Sequence, residues 1–93
     1  MPVSTIRVTI HGRVQGVGFR SFVLAEARRL GVTGFVRNLD DPRAVEVVST
    51  APEDILTSFV GRLKEGPVGA QVKDCVVDRL REETAYPDFE IRY

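Results

Sequence analysis

The sequence predicts an α+β fold: a two-layer sandwich in which two helices cover one face of a single sheet. Three observations predict it. Apolar side chains alternate with period two in some stretches, recur at spacings of three and four in two others, and the two kinds of stretch run in the order strand, helix, strand, strand, helix, strand.

Residues 5–11 open the series. Ile6, Val8 and Ile10 fall on one side and Arg7, Thr9 and His11 on the other, the pattern of a strand with one buried face. Residues 12–18 hold three glycines in seven positions and read as a loop. From position 20 the period lengthens, and Phe19, Phe22, Val23, Ala27 and Leu30 form a helical stripe. Glu26, Arg28 and Arg29 fall off that stripe, Arg28 and Arg29 reading as a solvated face, and Gly31 suits a left-handed helix end. Residues 33–39 and 44–49 read as two strands, and Asp40-Asp41-Pro42-Arg43 between them has turn composition, so a hairpin is expected. Pro52 starts a second helix, Glu53 and Asp54 complement its dipole, and Ile55, Leu56, Phe59, Val60 and Leu63 form its apolar face. Gly66-Pro67 ends it. Residues 70–79 are Val-rich and read as a fourth strand, 80–87 as a polar turn, and Phe89, Ile91 and Tyr93 as a short C-terminal strand. This βαββαβ order, with its extra strand, is the ferredoxin-like arrangement with a mixed or antiparallel sheet.

Composition limits the function. A length of 93 residues fits one domain, 1–93, and 43% apolar with 28% charged residues is the balance of a folded chain. The 13 basic and 13 acidic side chains cancel, so no whole-molecule field draws the chain to nucleic acid or to an anionic membrane. Cys75 is the sole cysteine, which excludes an intrachain disulfide and suits a reducing compartment. No leader pattern opens the sequence, and no apolar run approaches the ~18 residues of a membrane span. A cytoplasmic monomer is expected. His11 lacks a second ligand at metal spacing and reads as a surface strand residue, while Cys75 reads as a small buried hydrophobe.

The informative segment is Gly12-Arg13-Val14-Gln15-Gly16-Val17-Gly18-Phe19-Arg20, which joins a strand to a helix start. Glycines permit positive φ, successive N–H groups can then face one concavity, and a helix N-terminus adds open donors and the positive end of its dipole. Arg20 adds a planar fork that matches two phosphate oxygens. The familiar phosphate motifs do not fit. A P-loop requires Gly-Lys-Ser/Thr where Gly18-Phe19-Arg20 stands, and a dinucleotide fingerprint requires glycine at the position of Ser21.

Val14-Gln15-Gly16-Val17-Gly18-Phe19-Arg20 resembles the signature loop of the acylphosphatase family, and Gly34-Phe35-Val36-Arg37-Asn38 resembles the start of its second signature. Gly66-Pro67 followed by Ala70 and Val72, and the terminal Phe89-Glu90-Ile91, follow the same layout, so the resemblance spans nearly the whole chain. It implies the ferredoxin-like sandwich and hydrolysis of acyl phosphates without metal or organic cofactor. It also implies phosphate held by the main chain of Gln15, Gly16, Val17, Gly18 and Phe19 together with Arg20, and an attacking water placed by Asn38. The expected small-molecule partners are an acyl phosphate and inorganic phosphate. The sequence departs from the family pattern at Asp40-Asp41-Pro42-Arg43, in place of a shorter Asp-Gly turn, and at Ala51, in place of glycine.

Two other functions share the fold. A non-catalytic acylphosphatase-like domain would bind phosphate or another anion without turnover. An RNA-recognition module would need a run of aromatics on its central strands, which Gly34-Phe35-Val36 does not provide.

Overall fold

The computed structural model describes residues 2–81 and 86–93. The elements are β1 (Ser4–Arg13), α1 (Phe19–Leu30), β2 (Thr33–Asn38), β3 (Ala44–Ala51), α2 (Glu53–Glu65), β4 (Gln71–Leu80) and β5 (Phe89–Arg92). They form one five-stranded sheet in the order β4-β1-β3-β2-β5. Neighbours are antiparallel except β5, which lies parallel to β2. The fold is the predicted ferredoxin-like sandwich with a mixed sheet. The turn expected over 80–87 falls largely on 82–85, outside the described residues.

The alternation in β1 does its expected work. Ile6, Val8 and Ile10 are buried on the helix side, while Arg7, Thr9 and His11 stay partly open. Val36 of β2 and Val45 and Val47 of β3 extend that apolar face. Phe19, Val23 and Ala27 of α1 and Leu56, Phe59 and Leu63 of α2 close it from above. Phe59 meets Phe89 of β5 edge to face at 6.1 Å, tying the second helix to the last strand. Each fully buried side chain of this size contributes about 1.5–3 kcal/mol relative to exposure.

Gly34 shows why the second motif needs a glycine. A Cβ there would stand 1.9 Å from the Val48 carbonyl oxygen, so no larger residue fits between β2 and β3.

Four local expectations need correction. Gly12 is not in the loop: β1 runs on to Arg13, with Gly12 paired to Val72 and donating its N–H to the Arg43 carbonyl at 2.8 Å. Glu26 does not fall off the apolar stripe: it is buried, because it lies three and four residues beyond Val23 and Phe22, on the stripe itself. Two arginines satisfy its charge there. Cys75 is half-buried at the edge strand rather than enclosed. His11 has an acidic neighbour, Asp74 on the adjacent strand, 3.9 Å from its Nδ1.

Candidate active site

The end of β1 feeds residues 14–18, and these lead directly into α1. Gly16 and Gly18 take left-handed φ values of 74° and 75°, which a side chain would strain. Gly18 is the N-cap of α1, and its carbonyl accepts from the Phe22 N–H at 3.0 Å. No side chain caps this helix, and its first turn carries no acidic residue. The contrast with α2, which has Glu53 and Asp54 in its first turn, is informative. Among the described residues, the main-chain N–H groups of 15–19 donate to no main-chain carbonyl. The loop therefore presents open donors beside the positive end of a helix, the arrangement that suits an anion.

Side chains on either side of the loop are well anchored. Phe19 is buried in the core, leaving its N–H as its contribution to the loop, and Val17 is half-buried against the same core. The Gln15 side chain points the other way. Its Nε2 donates to the carbonyls of Leu39, Asp41 and Ala44 at 3.2, 3.0 and 2.9 Å, tying the loop to the β2–β3 hairpin. The longer turn does not loosen that hairpin. Leu39 donates to Ala44 at 3.1 Å, and Asn38 remains in the ladder opposite Val45. Ala51 is buried in the core, where its methyl packs.

Arg20 and Asn38, 18 positions apart in sequence, meet in space. Both line a small cavity of about 120 Å3 together with Gly16, Gly18, Ile91 and Tyr93. Arg20 makes no ion pair among the described residues. Its guanidinium carbon lies 4.7 Å from the centroid of the Tyr93 ring. Asn38 Oδ1 is buried and accepts no hydrogen bond from the described residues, a position that normally calls for a proton donor. Sequence reading missed Ile91 and Tyr93 as neighbours of this cavity. Nothing local signals them, because it is the parallel pairing of β5 with β2 that brings them there.

Among the described residues, no group of three His, Cys, Asp or Glu side chains stands together at metal-binding spacing, and no helix is long and apolar enough to cross a membrane.

The fold and loop thus define a ferredoxin-like domain whose first helix begins at an open, anion-ready glycine turn. Comparison with known proteins makes the assignment specific. The Acylphosphatase family profile matches residues 6–91. An acylphosphatase of Caldivirga maquilingensis is 42% identical over 88 residues, covering 95% of this chain and 93% of its own. The crystal structure of acylphosphatase from Bacillus subtilis superposes with a TM-score of 0.93 at 39% identity, covering 99% of this chain and 100% of that one. An acylphosphatase from Coxiella burnetii gives a TM-score of 0.90 at 37% identity, covering 97% and 93%. The chain belongs to the acylphosphatase family, a family of hydrolases.

Proposed function

We propose that this protein hydrolyses acyl phosphates to a carboxylate and inorganic phosphate, with Arg20 and the main-chain N–H groups of residues 15–19 holding the phosphate and Asn38 placing the attacking water. The observation that carries the reading is the convergence on one small cavity of Arg20 and the buried Asn38 Oδ1, each without an ion-pair or hydrogen-bond partner among the described residues, and of two left-handed glycines.

The chemistry asks little more of the protein. Water oxygen attacks phosphorus, the bond from phosphorus to the acyl oxygen breaks, and its electron pair leaves with the carboxylate. A carboxylic acid has a pKa of roughly 4–5, so the leaving group departs as an anion near neutral pH without a general acid. A loose phosphoryl-transfer transition state needs the water placed more than deprotonated. The proton released by water passes to phosphate or solvent. What remains is charge stabilisation and orientation. Arg20 can bind two phosphate oxygens at once, and the loop N–H groups can take the others. Asn38 is neutral, so its Oδ1 can accept from the water without the repulsion a carboxylate would exert on the phosphate.

The direct test is hydrolysis of benzoyl phosphate, a generic acyl phosphate, by the whole chain. Turnover that inorganic phosphate inhibits competitively is the expected result. A folded protein that leaves benzoyl phosphate intact while still binding phosphate would assign it instead as a non-catalytic anion-binding domain.

A further inference from the structure

The β2–β3 turn is longer than the Asp-Gly pattern of the family, yet Asn38 at its base stays in register opposite Val45. Within the turn, the Leu39 N–H donates to the Ala44 carbonyl and the Ala44 N–H to the Asp41 carbonyl, both at 3.1 Å, and the Arg43 N–H donates to Asp41 Oδ1 at 2.9 Å. The carbonyls of Leu39, Asp41 and Ala44 also converge on one atom from outside the turn, Gln15 Nε2, at 3.2, 3.0 and 2.9 Å. Three acceptors around one side-chain atom require the amide nitrogen there, whose two hydrogens they share. We infer that the Gln15 side chain is a positioning residue for Asn38: it pins the base of the lengthened turn to the phosphate loop and so sets where Asn38 Oδ1 stands relative to Arg20. The inference rests on Asn38 acting on the attacking water.

Asn38 needs such support from its backbone. Its Oδ1 accepts no hydrogen bond from the described residues, so no contact of that atom fixes its direction. Leu39, whose carbonyl Gln15 holds, is the next residue along the chain. At the other end of the tether, Gly16 follows Gln15 and lines the same small cavity as Asn38. One residue therefore joins the two halves of the site, its main chain in the loop and its side chain on the hairpin. A neutral amide is the fitting group. A carboxylate would face three carbonyl oxygens with no donor, and a cationic donor would set a second charge beside the phosphate loop. The gain lies in orientation, since a misplacement of about 1 Å can cost about a hundredfold in rate.

The test compares Gln15→Met and Gln15→Glu with the parent chain. Both keep the approximate length of the side chain and remove its amide donors. Position 15 is half-buried and outside the apolar core, so the fold persists in both. Four quantities are read: kcat and KM for benzoyl phosphate, affinity for inorganic phosphate, and the NMR shift of the Asn38 side-chain Nδ2–H2. Both variants should lower kcat by about ten- to a hundredfold. KM and phosphate affinity should stay at parent values, because the main-chain N–H of residue 15 is retained, and the Asn38 shift should move. Parent-like kcat in Gln15→Met would overturn the inference, as would a loss confined to phosphate affinity with the Asn38 shift unmoved. The parent alone supplies a further check: its Gln15 Nε2–H2 protons should exchange slowly with solvent, and exchange as fast as that of a free surface amide would overturn the inference without any variant. If the parent does not hydrolyse benzoyl phosphate, the proposed function fails. The Asn38 shift in Gln15→Met then decides the tether by itself, a moved resonance upholding it and an unmoved one overturning it.

Discussion

The proposed function gives Arg20 and Asn38 different tasks, and substitution should separate them. Arg20→Ala removes the only guanidinium that lines the cavity among the described residues. It should weaken phosphate binding and cost about 3–4 kcal/mol or more of transition-state stabilisation, the scale of losing a preorganised charge-stabilising donor. Phosphate titration together with benzoyl phosphate kinetics measures both effects. Asn38→Ala should abolish turnover while phosphate binding persists, because Asn38 is proposed to act on the water and not on the phosphate; full activity in this variant would refute that role. Both residues were legible in sequence only through their motifs. Alone, Asn38 has the composition of a strand end, and Arg20 that of an ordinary surface charge. The tether made by the Gln15 side chain was not legible, because its acceptors lie 24, 26 and 29 residues away on a hairpin whose path the local sequence does not specify.

At the scale of elements, the helices are joined by charge as well as by apolar contact. Glu26 of α1 accepts from Arg29 Nε at 2.8 Å and from Arg62 Nε of α2, and Arg62 also reaches Glu65. The Arg62 guanidinium lies 5.5 Å from the centroid of the Phe22 ring as well. Removing the Glu26 charge by Glu26→Gln should lower stability by about 1–3 kcal/mol, read from urea unfolding, because hydrogen bonds between ionised groups are the stronger class and one of the two arginines faces an amide NH2 in place of its acceptor oxygen. The number, order and type of elements could be read directly, since period two and period 3.6 separate cleanly in β1, α1 and α2. Two things could not. The burial of Glu26 was hidden because its residue type argued against its position on the stripe. The parallel seating of β5 beside β2 was hidden because a four-residue strand carries no record of its partner.

At the scale of the molecule, acid sensitivity follows from the same carboxylates. Arg29 and then Arg62 hold the Glu26 carboxyl below its ordinary value. The Arg79 guanidinium, with a smaller contribution from Ser4, holds the exposed Glu53 down to about 2. Both folded pKa values lie below the ordinary 4.5, so these carboxylates stabilise the fold fully above about that pH. The stabilisation is lost as pH falls below about 4.5, for Glu53 through about 2. Thermal midpoints should therefore drop across that window, and the drop should be shallower in Glu26→Gln.

Sheet order also decides which strand ends surround the proposed site. The C-terminal ends of β1, β2 and β5 gather at the head of α1 around the small cavity. A larger cleft of about 620 Å3, with Arg13, Arg43 and Lys73 among its lining, opens beside Gln15. An anion could in principle be drawn to either, so titration of the whole chain with inorganic phosphate, followed by amide and arginine side-chain NMR, is the most direct test. The account predicts saturable shifts centred on the N–H groups of 15–19 and on Arg20 Nε–H, all lost in Arg20→Ala. Shifts centred on Arg13, Arg43 and Lys73, with the loop unmoved, would contradict it.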